Sequence, residues 1–329
     1  MRVLVALGGN AMTAADGSAT VEAQRAAITV AAEHIADLVA TGVDVVVTHG
    51  NGPQVGNLLV KNELTADVVP MVPLDWCGAQ TQGTLGYTLT VGLDRALANR
   101  GLHRRSAAIV TRTVVDADDP AFVTPTKPIG RYLPEEEARR FIEAGQNWED
   151  RGERGWRRVV PSPDPREIVD APAVISLLDA GFVVVCAGGG GIPVVRSEEG
   201  DLIGVEAVID KDLGAALLGP MVDADVLIIA TDVEAAVVGW GTPAARPLGK
   251  VTVSDLRELA AAGHFASGSM GPKVEAALRF AERGGRAVIT SLDRIAEAAH
   301  GDCGTVVVPE GAATAARPGF PAAPAGHPA

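Results

Sequence analysis

The chain has no G-x-x-x-x-G-K-S/T phosphate loop and no clean G-x-G-x-x-G fingerprint. The first absence removes the P-loop route to a nucleotide, and the second leaves a nicotinamide-dependent enzyme without its usual turn. No G-x-S-x-G elbow accompanies the six histidines, which disfavours a serine hydrolase. No C-x-x-C or H-x-x-x-H pair is present, so nothing supports a zinc site, and no metal-ligating residue is singled out. Cys77, Cys186 and Cys303 are scattered and odd in number, the pattern of reduced thiols, and Cys186 reads as core filler. No apolar segment reaches the length of a membrane span and no signal peptide opens the chain, so a cytoplasmic protein without a membrane partner is expected. Aromatic residues are only 4%, so the core must rely on Val, Ala, Leu and Ile. Positive charge is scarce too. A net charge of −13 argues against nucleic acid as a general partner, though not against a local cationic pocket.

What is present is a repeated unit, an apolar strand entering a glycine-rich turn. Val3–Leu7 runs into Gly8-Gly9-Asn10, Val43–Val47 into His49-Gly50-Asn51-Gly52-Pro53, and Phe182–Cys186 into Gly188–Gly191. Glycines let the backbone approach a ligand, and helix N-termini present N–H groups to an anion. Three such turns suggest one edge of a parallel sheet built to hold phosphate.

The spacing predicts helices over about 20–39, 74–98, 171–178, 207–218, 252–262 and 272–283. Strands are predicted at 43–48, 107–110, 182–187, 225–230, 235–238 and 286–290, with a hairpin at 194–205 turning on Glu199-Gly200-Asp201. The alternation implies an α/β fold, with a mainly parallel sheet covered on both faces. About 115–169 breaks the rhythm with Pro, Arg, Glu and Trp. Phe141, Trp148 and Trp156 give it something to pack, so an ordered lid or flap is expected. Residues 311–329, mostly Ala, Pro and Gly, read as a disordered tail after a domain of 1–310.

Only five lysines occur, and three have unusual settings. Lys127 lies between Thr126 and Pro128 in the insertion. Lys211 lies between Asp210 and Asp212. Lys273 follows Gly268-Ser269-Met270-Gly271-Pro272 in the first turn of a predicted helix. An arbitrary lysine is most often a solvated surface charge. A glycine-rich lead into a helix is instead a natural anion site. Phosphoryl transfer gives such lysines a joint purpose, because charge spreads over the moving group and little covalent chemistry is asked of the protein.

These segments resemble the carbamate kinases of the amino acid kinase superfamily. The resemblance runs in order over about residues 1–309. It rests on Ala6–Ala11, Thr48–Gly56, Pro125–Gly130, Gly155–Pro163, Ala187–Val194, Glu206–Asp212, Thr231–Val233 and Gly263–Phe265 with Gly268–Val274. It implies an open three-layer αβα sandwich with a small inserted lid, usually a homodimer, acceptor in the N-terminal half and nucleotide in the C-terminal half. The implied reaction is ATP plus carbamate giving ADP plus carbamoyl phosphate, with Mg2+ on the nucleotide phosphates. It would serve ATP formation in arginine or related nitrogen catabolism.

Carried over by the resemblance, Gly8, Gly9, Asn10, Gly50 and Asn51 would line the acceptor pocket through backbone N–H groups. Lys211 and Lys273 would hold the phosphates, with Asp212 orienting them. Thr231, Asp232 and Met270 would lie near the nucleotide, and Lys127 would swing in from the insertion. Many relatives in the wider superfamily carry a lysine where this chain has Ala6, and Lys127 is the natural replacement cation. Two rivals stay open: a kinase for another small anionic acceptor, and a non-catalytic sensor of carbamoyl phosphate or nucleotide.

Overall fold

The computed structural model describes residues 1–13, 20–265, 270–301 and 303–311. The expected tail beyond 311 and the Gly268-Ser269 lead lie outside it, as does the Asn10 side chain.

Strands β1 (Arg2–Leu7) and β2 (Asp44–His49) flank helix α1 (Val21–Ala40), and α2 (Gly52–Thr65) and α3 (Leu74–Asn99) follow. Next come β3 (Ser106–Ala108), β4 (Arg112–Val115), α4 (Pro120–Val123), β5 (Lys127–Leu133), α5 (Glu135–Glu143), β6 (Trp148–Asp150), β7 (Trp156–Val160) and β8 (Pro165–Ile168). The chain continues through α6 (Ala171–Asp179), β9 (Val183–Val185), β10 (Ile192–Arg196), β11 (Leu202–Gly204), α7 (Lys211–Met221) and β12 (Val226–Thr231). It closes with β13 (Val237–Val238), β14 (Arg246–Pro247), β15 (Lys250–Thr252), α8 (Val253–Ala261), α9 (Met270–Glu282), β16 (Arg286–Ser291), α10 (Ile295–Ala298) and β17 (Thr305–Val308).

Eight strands form the central sheet in the order β15-β17-β16-β12-β1-β2-β9-β3, parallel except between β16 and β17. Strands buried on both faces must read as apolar runs, and Val3 through Leu7 are fully buried. The pleat sends alternate residues to opposite cores. Leu4, Ala6, Leu227 and Ile229 pack with α6, α7, α8 and α9, while Val3, Val5, Leu7 and Ile228 pack with α1, α3 and α10. The result is the expected αβα sandwich. The Thr20 hydroxyl caps α1 by accepting the Ala23 N–H, a contact worth about 1 kcal/mol.

Two smaller sheets interrupt the alternation. One is four-stranded, β11-β10-β4-β8, and contains the expected hairpin on Gly200. The other, β5-β7-β6, is antiparallel and packs with α5 around Leu133, Ala138 and Trp148, where Phe141 stacks on Trp148 at 5.8 Å.

Several elements differ from the sequence expectation. Helix α7 starts at Lys211 rather than 207, because Asp210 accepts the Asp212 N–H and caps it there. The strand expected at 107–110 ends at Ala108, and that expected at 235–238 is only Val237–Val238. Helix α2 and strands β4 to β8 were not expected as separate elements. No helix of the described residues is long and apolar enough to cross a membrane.

Candidate active site

Strands β1, β2 and β9 are neighbours, so the three glycine-rich turns meet at one end of the parallel sheet. They do not do the same work. The turn after β9 is filled by protein. A Cβ on Gly188 would lie 2.4 Å from His49 Nε2, and one on Gly189 would lie 2.3 Å from Asn51 Nδ2. These glycines exist so that side chains from the second turn can sit on the third. Buried bonds knit the same region: Thr48 Oγ1 donates to Ala187 O at 2.8 Å, and Gln82 Nε2 donates to Gly188 O at 2.9 Å. Asn51 Nδ2 donates to Thr81 Oγ1 at 2.9 Å.

The first two turns face a cleft, though not through every amide expected. The Gly8 N–H donates to Ala230 O at 3.0 Å and the Gly50 N–H to Leu7 O at 3.1 Å, so both extend the sheet. Gly9 has open space above its Cα. Asn10 follows it in the short helical turn Gly9–Met12. Asn51 precedes α2 but makes no side-chain cap, since its amide reaches Thr81. The α2 N-terminus beside Gly50 thus has no cap from the Asn51 side chain.

Over Gly50 runs the stem of Lys211, whose Cδ would lie 3.4 Å from a Cβ placed there. Lys211 opens α7, and Lys273 sits in the first turn of α9, which packs against α7. Both ammonium groups reach one carboxylate. Lys211 Nζ donates to Asp212 Oδ1, and Lys273 Nζ to Asp212 Oδ2 at 3.1 Å. Asp212 is 2% exposed and Lys273 is 7% exposed. Burial pushes the Lys211 ammonium below its ordinary pKa; Asp212 opposes that shift and Lys273 adds to it. Lys127, the first residue of β5, is half-exposed and donates to Asp210 Oδ2 at 2.9 Å.

Two cavities adjoin the cluster. One of about 310 Å³ is lined by Gly8, Gly9, Thr231, Asp232 and Lys273. The second, about 150 Å³ and mostly apolar, shares Thr231 and Asp232 and adds Val237, Trp240, Phe265 and Met270. A glycine-floored chamber beside a lysine, next to an apolar slot, suits a phosphate chain and a heterocyclic base. The Thr231 hydroxyl donates to Asp232 Oδ1 at 3.0 Å where the two chambers meet.

The structure thus gathers Gly8, Gly9, Gly50, Lys211, Asp212, Lys273, Thr231, Asp232 and Met270 around one cleft, with Lys127 at its edge. It adds residues that sequence reasoning missed. Asp210 holds Lys127, and Trp240 and Phe265 line the apolar slot. Asp210 stood in the Asp-Lys-Asp triplet, and an aspartate at that point is a usable cap signal, but the helix was expected from 207 and ran through it.

The pattern of the amino acid kinase family matches residues 1–291. The chain belongs to the amino acid kinase family. Within that family it is similar to a carbamate kinase of Thermococcus kodakarensis, 49% identical over 94% of this chain and 99% of the relative. It is 45% identical to a carbamate kinase of Pyrococcus furiosus, over 94% of this chain and 99% of that one. Among solved structures it resembles a Giardia lamblia carbamate kinase bound to AMP-PNP, with a TM-score of 0.89 and 41% identity, covering 94% of this chain and 98% of that one. The similarity to carbamate kinases thus extends over the inserted segment at about 115–169 as well as the sandwich.

Proposed function

We propose that this amino acid kinase is a carbamate kinase, transferring a phosphoryl group reversibly between ATP and carbamate to give ADP and carbamoyl phosphate. The observation that carries the reading is Asp212 bridging Lys211 and Lys273 beside Gly9 and Gly50, in a chain nearly half identical to a named carbamate kinase. Carbamate already bears a negative oxygen, so its attack on the γ-phosphorus needs no general base. The protein must instead bring two anions together and stabilise charge on the transferring oxygens.

The two lysines supply that charge. Their shared carboxylate holds them from opposite sides, so neither must be reoriented when the phosphoryl group moves. Gly9, Asn10, Asn51 and the α2 N-terminus would take the carbamate side, with Gly8 and Gly50 shaping the floor. Thr231, Asp232 and Met270 would take the nucleotide side. Lys127 would reach the phosphoryl group from the β5-β7-β6 sheet, which we read as a mobile lid.

Magnesium fits this site as a hydrated ion carried by the nucleotide. Asp232 lines both chambers, while no cluster of three metal-binding side chains occurs among the described residues. Such an ion keeps several waters and neutralises phosphate charge. A cytoplasmic homodimer forming ATP in arginine or related nitrogen catabolism belongs to the same proposal.

The test is acceptor choice. With MgATP, carbamate should drive ADP release, whereas N-acetylglutamate and uridylate should not. Robust turnover with N-acetylglutamate and none with carbamate would assign the chain to another kinase of the family. Nucleotide binding without turnover on any acceptor would favour a sensor.

A further inference from the structure

Between β11 and α7, Glu206-Ala207-Val208-Ile209-Asp210 runs outside any helix or strand. This strip docks the three-stranded sheet at three points. Glu206 Oε2 accepts from Arg158 of β7 at 2.9 Å, while its Oε1 accepts the Leu74 N–H at 2.7 Å. The Val208 N–H donates to Pro161 O, just past β7, at 3.0 Å. Asp210 Oδ2 accepts from Lys127 Nζ of β5 at 2.9 Å.

The last contact differs from the others because of what the second oxygen does. Asp210 Oδ1 accepts the Asp212 N–H at 2.9 Å and caps α7. One carboxylate therefore touches the insertion's lysine and the first turn of the helix that carries Lys211 and Asp212. The Asp210 side chain is only 14% exposed. Burial alone would raise its pKa, but the Lys127 charge and hydrogen bond, together with the Asp212 N–H and the Lys211 charge, outweigh that and hold it below the usual carboxylate range. It is an anion at neutral pH, held by the cap as well as by the lysine. Lys127, in contrast, has a long stem that is 39% exposed. Left alone, such a side chain samples many rotamers and must lose that freedom in each catalytic cycle.

We infer that Asp210 is a positioning residue for Lys127, fixing its ammonium at the edge of the Lys211–Asp212–Lys273 cluster and tying β5 to the start of α7. This rests on the kinase reading. Asp212 serves the two lysines of the sandwich, and Asp210 serves the one that comes from the insertion. A lysine displaced by about 1 Å from the transferring oxygens loses much of its worth, a change on the scale of a hundredfold in rate.

Asp210→Asn isolates this role, because asparagine caps a helix as well as aspartate but cannot hold an ammonium by charge. The kcat for ATP formation from MgADP and carbamoyl phosphate should fall about a hundredfold, with KM for ADP changed by less than about twofold. In a Lys127→Ala background the same substitution should cause no further loss. Amide hydrogen exchange over 127–133 should be faster in Asp210→Asn than in the parent protein. A wild-type kcat, or an equal loss in both backgrounds, overturns the inference. An inactive parent protein would instead reject the kinase reading. Exchange then still decides the contact: unchanged rates over 127–133 overturn the tie between Asp210 and β5.

Discussion

Asp212 carries two ammonium groups on one buried carboxylate, an arrangement that a merely structural ion pair does not need. Removing either lysine should spare the fold, since each side chain ends at the cleft, yet take away a charge partner of the transition state. Lys211→Ala and Lys273→Ala should each lower kcat by about a hundredfold or more. Steady-state kinetics alongside circular dichroism checks this, and wild-type turnover in either folded variant would remove the assigned role. His49 lies just behind the cluster and gives a second test. It is 1% exposed, and its Nδ1 lies 2.9 Å from Gly50 O. Burial, with a smaller push from the Lys211 charge, lowers its pKa from 6.5 to about 4. Below pH 6.5 the unfolded chain takes up a proton that the folded chain refuses, so stability present above that pH is lost as pH falls toward 4. The loss should reach about 2 kcal/mol by pH 5. Denaturant melts from pH 7.5 to 5 should show a flatter slope in His49→Gln, and identical slopes would contradict a buried neutral imidazole.

At the scale of elements, the insertion was the least legible. Helix α1 could be read from Thr20 and Gly42, and the sandwich strands from their Val-rich runs, because those signals are local. Helix α2 was hidden inside the glycine turn; Pro53 marks its first turn, but Gly52 and Gly56 look like loop residues. Strands β5, β6 and β7 have mixed exposure and a register shift between Ile129 and Tyr132, so no period of two survives. The strip 207–210 reads as helix by composition, yet the Asp210 cap and the Val208–Pro161 bond pull it straight. The turns at β1, β2 and β9 could be located in the sequence, but their division of labour could not. Only the close approach of His49 and Asn51 to Gly188 and Gly189 shows that the third turn is packing space. Lys127→Ala should depress kcat far more than it weakens ADP binding measured by calorimetry, because ADP lacks the transferring group. Equal losses would place Lys127 in nucleotide binding and remove the lid's catalytic task.

The whole molecule sets a strongly acidic protein, with net charge −13, around a site for anions. It meets that conflict by placing three of its five lysines at one cleft and fixing each with an aspartate. Scarcity made those lysines conspicuous in the sequence. Their pairing with Asp210 and Asp212 needed the fold, because α7 and α9 bring together residues about sixty positions apart. Two cores, one on each face of the sheet, support that sheet end, while the smaller sheet docks on α2 and α3 through an apolar cluster of Val55, Leu59, Leu74, Cys77 and Val160 and adds polar contacts through Lys127 and Arg158. The central claim is that this cluster moves a phosphoryl group between carbamate and a nucleotide. Phosphorus NMR of the protein with carbamoyl phosphate, ADP and magnesium tests it most directly. The account predicts that the carbamoyl phosphate resonance decays as the γ-phosphate of ATP grows in equal amount, and that Lys273→Ala slows the exchange about a hundredfold. Decay to inorganic phosphate at the uncatalysed rate, with no ATP formed, would contradict it.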